Sequence, residues 1–446
     1  MIIVRVRPRL ERMPKLTALR TAVEGRVLLP GDDGFDAARR PWNLAVDQPA
    51  AAVVEAAHAA DVAAVVRFAA AAGLAVAPQP TGHGATGNTG DAILLRTGRL
   101  DQVHVDAAAR TARVGAGATW GAVQAAAGPR GLTGLAGSSP VVGVTGYTLG
   151  GGMSWFGRAF GWAADSVTAF DVVDAAGVPA KVTADSDAEL FWALRGGGGD
   201  VAVVTAVEFR LHPAPVLYGG RMLWPADRAP RVLAAFRDVA WEAPRELTLW
   251  FELMRFPGGP PLVAVDVTYL GDAATGAALT KPFADAGPPM GDSRAVLPVA
   301  DLGSITAEPV DPSPGLSFSA LLHDLDGVAG ALLDRPVDPL LAIQVRQLGG
   351  AFAGPSDSPF GPLTEPYSLY TLGIPATPER AAAIRERQRE IVAALGPAVA
   401  GRKPLTALSG GESVGDAFAP GVLARLREVK RRRDPAGVLR SNYPVA

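Results

Sequence analysis

The sequence predicts an α+β protein of two domains, and three observations carry that expectation. The first half opens on a strand–helix–strand pattern and then holds three clusters of glycine. The second half changes to long apolar and alternating runs at 247–256, 262–270, 341–348 and 367–374, separated by alanine-rich helical stretches. Between the halves, Pro213-Ala214-Pro215 is a break that neither a helix interior nor a central strand tolerates. Residues 1–214 are therefore expected to form one domain, and 215–404 an antiparallel sheet backed by helices.

Composition narrows the class. A chain of 446 residues can bury a large core, and its 48% hydrophobic and 19% charged residues fit a globular enzyme rather than a disordered chain. Lys and Arg number 42 against 44 Asp and Glu, a formal charge of −2, which gives no electrostatic reason to expect nucleic acid or an anionic membrane. There is no cysteine, so disulfides, thiolate metal sites and a thiol nucleophile are excluded, and no metal is expected. No apolar run is long enough to span a bilayer, and Met1 to Pro8 lacks the pattern of a secretory leader. A cytoplasmic protein, monomeric or homodimeric, is expected. Met13 is an alternative start to Met1.

In chain order, residues 1 to about 45 read as a short helical preface ending in the turn Arg40-Pro41-Trp42-Asn43. Residues 51–56 read as a strand. Val62, Val65, Val66 and Ala69 recur at helical spacing, with Asp61 near the start and Gly73 just past the end. The apolar run 74–77 is a second strand and 93–95 a third. Residues 103–106 and 111–117 form a hairpin pattern, on which His104 alternates outward. Residues 120–128 suit a short helix. From Gly131 to Gly152 glycine leaves little room for regular structure, and a long irregular passage in a compact domain usually carries function. Strands at 170–174, 181–183 and 201–211 and a capped helix at 187–195 complete the half. Residues 282–314, rich in Pro, Gly and Asp, read as a loop over the second domain, and 422–433 as the final helix.

The stretch Pro80-Thr81-Gly82-His83-Gly84-Ala85-Thr86-Gly87 organises the rest. Its three glycines let the backbone pass close to a bulky ligand and turn its N–H groups inward, a nest suited to a pyrophosphate. Two more clusters follow, 143–152 and Gly196 to Gly199. With the strand patterns between them, these resemble the FAD-binding half of the vanillyl-alcohol-oxidase (PCMH-type) superfamily, and specifically its berberine-bridge-enzyme-like branch, which includes 6-hydroxynicotine oxidases. The likeness is dense from Val46 to Pro213 and again from Val429 to Pro444.

That resemblance implies a PCMH-type FAD-binding fold, with residues 405–446 returning to the first domain. It implies FAD held at Pro80, Thr81, Gly82, His83, Gly84, Ala85 and Gly87, and bonded covalently through His83. It extends the site to Gly137, Ser138, Ser139, Val142, Gly143, Gly146, Tyr147, Gly151 and Gly152, to Gly199, Val203 and Val204, and to Asn442. Ser139 stands where doubly linked relatives have cysteine, so a second covalent bond is excluded. Val142 matches the residue lining the oxygen pocket in oxygen-reactive relatives, an ordinary apolar loop role being the alternative. Asp200 departs from the commoner family wording, which leaves its side chain without an expected contact. The Tyr-x-Asn pair of relatives is Leu405-Thr406-Ala407 here, and Ser368 stands where a catalytic glutamate can sit.

On the substrate side, strand alternation puts Ser368 with Tyr370 and Gln344 with Arg346. Tyr370, Arg346, Gln344 and Tyr147 are the catalytic candidates, with Arg346 as the cation that lowers a tyrosine pKa, and a core or rim role as the alternative. The expected activity is an FAD-dependent oxidase acting on a small organic substrate, by hydride transfer to flavin with oxygen as acceptor. A dehydrogenase of the same fold and a flavin-scaffolded non-redox cyclase or binding protein are the alternatives.

Overall fold

The computed structural model describes residues 16–446, so the choice between Met1 and Met13 lies outside the described residues. Three sheets carry the fold. The first holds β1 (Arg26–Leu28), β2 (Ala52–Glu55), β3 (Ala75–Gln79) and β4 (Ala92–Arg96) in the order β1-β2-β4-β3. β2 and β3 both run parallel to β4, which requires a crossover; α1 (Ala59–Ala72) supplies it. The His58 side chain caps that helix by accepting from Asp61 N, and Gly73 closes it in the left-handed region at φ 66°. Its buried face is Val62, Val65, Val66 and Ala69, the spacing the sequence predicts.

The second sheet is antiparallel, with β5 (Val103–Asp106), β6 (Thr111–Gly115), β7 (Val167–Val173), β8 (Pro179–Val182) and β9 (Val203–Arg210) in the order β5-β6-β9-β7-β8. The passage 131–152 is more regular than its glycines suggest. It holds the short strand Leu132–Thr133 and, after the helix α2 (Trp120–Ala127), the helix α3 (Val144–Leu149).

The third sheet is the largest and wholly antiparallel. Its strands are β10 (Tyr218–Pro225), β11 (Leu247–Met254), β12 (Leu262–Tyr269), β13 (Leu316–Leu322), β14 (Ala342–Gln347) and β15 (Tyr367–Gly373). They lie in the order β10-β12-β11-β14-β15-β13, with the short strands Gly291–Asp292 and Ala295–Val296 on the outer edge of β10. Alternation gives this sheet two different faces. Leu249, Phe251, Val265, Ile343, Val345 and Leu369 pack under the helices α4 (Ala229–Glu242) and α5 (Pro378–Leu395). The opposite face carries Arg221, Trp250, Glu252, Asp266, Gln344, Arg346 and Tyr370, and it turns toward the glycine loops. The segment 282–314 is not a bare loop, since 3-10 turns form at Lys281–Ala286 and Val299–Ser304.

Two contacts set the polar face against the glycine-rich half. Trp155 stacks on Trp250 at 3.7 Å and 15°. The buried guanidinium of Arg158 donates from Nε to Leu247 O at 2.7 Å, and from its other nitrogens to the carbonyls of Leu348, Ala243 and Pro244. Gly350, at φ 58°, packs so closely on Arg158 that a Cβ would stand 2.4 Å from its carbonyl oxygen.

The chain end is tied just as firmly. In α6 (Pro420–Arg433), buried Lys430 donates to Asp434 Oδ2 at 2.8 Å and to the carbonyls of Asp200 and Leu439, each at 2.7 Å. Val76 N donates to Val438 O at 2.7 Å and Arg440 N to Val76 O at 2.9 Å, which lays residues 438–440 along β3. Among the described residues, no helix is long and apolar enough to cross a membrane.

Replacing Arg158 with Met keeps the apolar stem but strips four carbonyls of their donor. Unpaired buried carbonyls cost about 1–3 kcal/mol each before relaxation, so stability to urea should fall by about 3 kcal/mol or more. A loss below about 1 kcal/mol would show that the carbonyls find other partners.

Candidate functional site

A cleft of about 370 Å³ lies where the loop after β3, α3, the segments 198–204, 405–410 and 441–443, and the start of β13 converge. Pro80, His83, Gly84, Ala85, Gly146, Gly199, Val204 and Asn442 line it, with Leu316 and Ser317 on the facing sheet. The other expected binding residues surround this lining. Thr81 bonds His83, and Gly82 sits against Pro41. Gly87 lies over the Asp47 carbonyl, and Gly143 opens α3 beside Pro80. Gly137 and Gly152 flank the Tyr147 ring, while Gly151 abuts Trp162. The Ser138 carbonyl lies against Gly303, and Ser139 is buried. Half-buried Val142 spans from Ser139 O to Trp120 N through its own backbone. Val203 points away from the cleft into the core beside the first sheet, because it alternates with Val204.

His83 is held on two sides. Its Nδ1 lies 2.9 Å from Thr81 Oγ1, and its ring stacks on Trp42 at 4.3 Å and 18°. Nε2 is buried without a hydrogen-bond partner. Burial pushes the imidazole pKa down to about 4, so the ring is neutral at ordinary pH. Trp42 belongs to the Arg40-Pro41-Trp42-Asn43 turn, legible as a turn but not as a partner of His83. The loop is then fastened to the chain end: Thr86 Oγ1 donates to Asn442 O and Asn88 Nδ2 to Ser441 O, both at 2.9 Å.

Asp200 supplies the rest of that fastening. Its carboxylate accepts from Ser441 N at 3.1 Å and Val445 N at 3.2 Å, and Lys430 lies 3.6 Å away. The residue that departs from the family wording is therefore what presents Asn442 to the cleft.

These loops suit FAD on their own chemistry. His83 Nε2, Ser139 Oγ, Thr145 Oγ1, Tyr147 OH, Thr148 Oγ1 and Ser441 Oγ are all buried without partners. Buried polar groups are nearly always satisfied, so six orphans in the loops around one cleft call for a ligand rich in donors and acceptors. No Lys, Arg, Asp or Glu lines the cleft, so a pyrophosphate here would be met by backbone N–H groups. The residues fit the cofactor that the resemblance implies.

The polar face of the third sheet, whose residues lie outside the cleft lining, is wired strand to strand. Arg221 grips Asp266 with Nε at 2.6 Å and Nη2 at 2.8 Å, and Nη2 also reaches Glu252 Oε2 at 2.6 Å. Glu252 Oε1 accepts from Gln344 Nε2 at 2.8 Å. Gln344 Oε1 accepts twice from Arg346, at 2.9 and 2.6 Å. The Arg346 guanidinium lies 4.0 Å from the Trp250 ring centre and 4.7 Å from that of Tyr370. Buried Ser368 sits opposite Arg346 in register.

Burial dominates the titration of this face. It pushes Glu252 up to about 7, helped by neighbouring Asp266 and opposed by Arg221. Asp266 is raised by burial against the pull of its Arg221 bonds. Tyr370 is pushed up to about 12 and Tyr147 well above the usual phenol range, in both cases by burial that outweighs Arg346. The lowering of a tyrosine by Arg346 expected from sequence is thus overridden, and both phenols keep their protons at neutral pH. Glu252 and Asp266 escape a reading of the sequence because one acid in an alternating strand looks like a solvent-facing position. His212 stacks on Phe160 at 4.3 Å and bonds Ser166 at 2.8 Å, a structural role.

The profile of a family described as FAD binding domain matches residues 50–183. Over 95% of this chain and 97% of the relative, the sequence is 28% identical to (R)-6-hydroxynicotine oxidase of Paenarthrobacter nicotinovorans. An FAD-linked oxidoreductase of Dictyostelium discoideum is 25% identical over 79% of this chain and 78% of that protein. The crystal structure of 6-hydroxy-D-nicotine oxidase from Arthrobacter nicotinovorans superposes with a TM-score of 0.82 at 25% identity, covering 95% of this chain and 98% of that one. Berberine bridge enzyme from Eschscholzia californica shares the fold at a TM-score of 0.79 and 19% identity, over 97% and 98% of the two chains.

A carboxyl raised from 4.5 to about 7 binds a proton in the folded state that the unfolded chain has released. Its stabilising contribution is complete below about pH 4.5 and is lost as pH rises through about 7. Glu252→Gln, neutral throughout, should flatten the urea-stability profile across that window by about 1–3 kcal/mol. An unchanged slope would place the titration elsewhere.

Proposed function

Because the chain belongs to the vanillyl-alcohol-oxidase (PCMH-type) superfamily of FAD-dependent oxidoreductases, in its berberine-bridge-enzyme-like branch, we propose that it is an oxidase whose FAD is bonded once, to His83. The observation that carries this reading is the His83 imidazole itself. It is neutral, stacked on Trp42, braced by Thr81, and has one ring nitrogen without a partner at a cleft whose loops hold further orphaned hydroxyls. A neutral ring offers a lone pair for bonding to the flavin, which an imidazolium does not. Ser139 offers no thiolate for a second bond.

When bound, FAD supplies a two-electron acceptor. The protein's own part is binding, exclusion of water and control of protons. The glycine loops and Asn442 would hold the cofactor, with the start of β13 facing them across the cleft. Tyr147 and Tyr370, protonated at neutral pH, act there as hydrogen-bond donors rather than bases. The substrate is a small organic molecule oxidised at a C–OH, C–N or activated C–H bond, a reading that the full-length likeness to a nicotine oxidase supports.

Oxygen as acceptor rests on Val142. No charged residue lies between Gly134 and Gly152, so no fixed charge in this passage opposes the entry of a small apolar gas. By the resemblance, Val142 would line the approach to the ring, and one further methylene there would narrow it. After anaerobic reduction with dithionite, stopped-flow mixing with oxygenated buffer should show rapid reoxidation. Val142→Ile should slow it about tenfold, equivalent to about 1.4 kcal/mol of barrier. Slow reoxidation of the parent would transfer the assignment to a dehydrogenase.

A further inference from the structure

We propose, resting on the reading above, that the substrate is a small organic acid and that Arg346 binds its carboxylate. Two other interior arginines find full sets of partners. Arg158 gives its donors to four carbonyls, and Arg221 is paired with Asp266 and Glu252. Arg346 has neither arrangement. Nε and Nη2 share one neutral acceptor, Gln344 Oε1, and Nη1 makes no hydrogen bond among the described residues. Among those residues no carboxylate lies within 4 Å of it, although a guanidinium is charged at any working pH.

The surroundings keep that charge free for a ligand. Gln344 stands between Arg346 and Glu252, taking the carboxylate on its amide and presenting its carbonyl to the guanidinium. Arg221 holds the other oxygen of Glu252 and both of Asp266, so neither acid can swing across. Trp250 and Tyr370 clamp the guanidinium plane from the rings, which leaves its edge as the binding direction. Arg346 and Tyr370 are each only partly buried, so some of each side chain stays open to a ligand.

The strands that carry them run up to the cleft. β13, whose Ser317 lines the cleft, pairs with β15, which carries Tyr370 beside Arg346 of β14, and Trp250 under Arg346 stacks on Trp155 of the glycine-rich half. The other charged groups acting on Arg346 are Glu252, Asp266 and half-exposed Glu308. Arg346 has no carboxylate partner of its own among the described residues, and a substrate carboxylate would supply one. Two oxygens on a planar guanidinium edge are the geometry that arginine matches best.

The test titrates the purified yellow holoenzyme with benzoate, phenylacetate and hexanoate, each paired with its primary amide, by flavin absorbance and by calorimetry at pH 7.5. At least one acid should bind tenfold or more tightly than its amide. In Arg346→Gln that preference should fall below twofold, with Arg346→Lys keeping part of it and flavin content unchanged in both. Equal affinity for acid and amide, no acid binding, or an acid preference that survives Arg346→Gln would overturn the proposal. A shifted flavin potential in Arg346→Gln with the preference intact would also overturn it, by assigning the guanidinium to the cofactor. Protein purified without flavin would instead count against the oxidase reading, which keeps the two failures apart.

Discussion

Four backbone carbonyls converge on Arg158, and that joint fastens the third sheet to the glycine-rich half. The guanidinium leaves the glycine-rich half and ends among Leu247, Leu348, Ala243 and Pro244, at the ends of two central strands and one helix of the third sheet. A buried charge held by carbonyl dipoles tolerates little displacement, because each donor lost leaves an acceptor without water. The Trp155–Trp250 stack beside it adds apolar area to the same joint. With that joint made, the polar face of the sheet has a fixed height above the loops that carry His83 and Tyr147.

The second constraint is the return of the chain end. Lys430 is buried with Asp434, and Asp200 collects the N–H groups of Ser441 and Val445. A lysine and two acids in the interior make a costly arrangement unless every lone pair and proton is used, and here the carbonyls of Asp200 and Leu439 take the remaining protons. The result is functional geometry from structural chemistry: Asn442 reaches the cleft although it lies far from His83 in the chain.

How much of this was legible follows from how local each feature is. The glycine clusters and His83 stand in contiguous stretches with a period and a turn chemistry of their own, so the sequence speaks for them directly. Alternation likewise places Gln344 with Arg346, since both lie on β14. The Arg221–Asp266–Glu252–Gln344 wiring is different, being assembled from four strands scattered between residues 218 and 347. Each of its acids, read alone, is an ordinary polar position. β10 and β13 escaped for local reasons: one contains Gly219-Gly220 and ends on a proline, and the other interleaves serines with its apolar residues. Trp42 and Asp200 have roles that appear only when distant segments meet.

The single bond proposed between His83 and FAD is open to direct chemical proof. Proteolysis of the denatured, acid-precipitated protein followed by mass spectrometry tests it most directly. A single flavin-bearing peptide is expected, the one containing His83, and it should be lost in His83→Ala. Flavin released free on denaturation, or a flavin adduct on a peptide without His83, would contradict it.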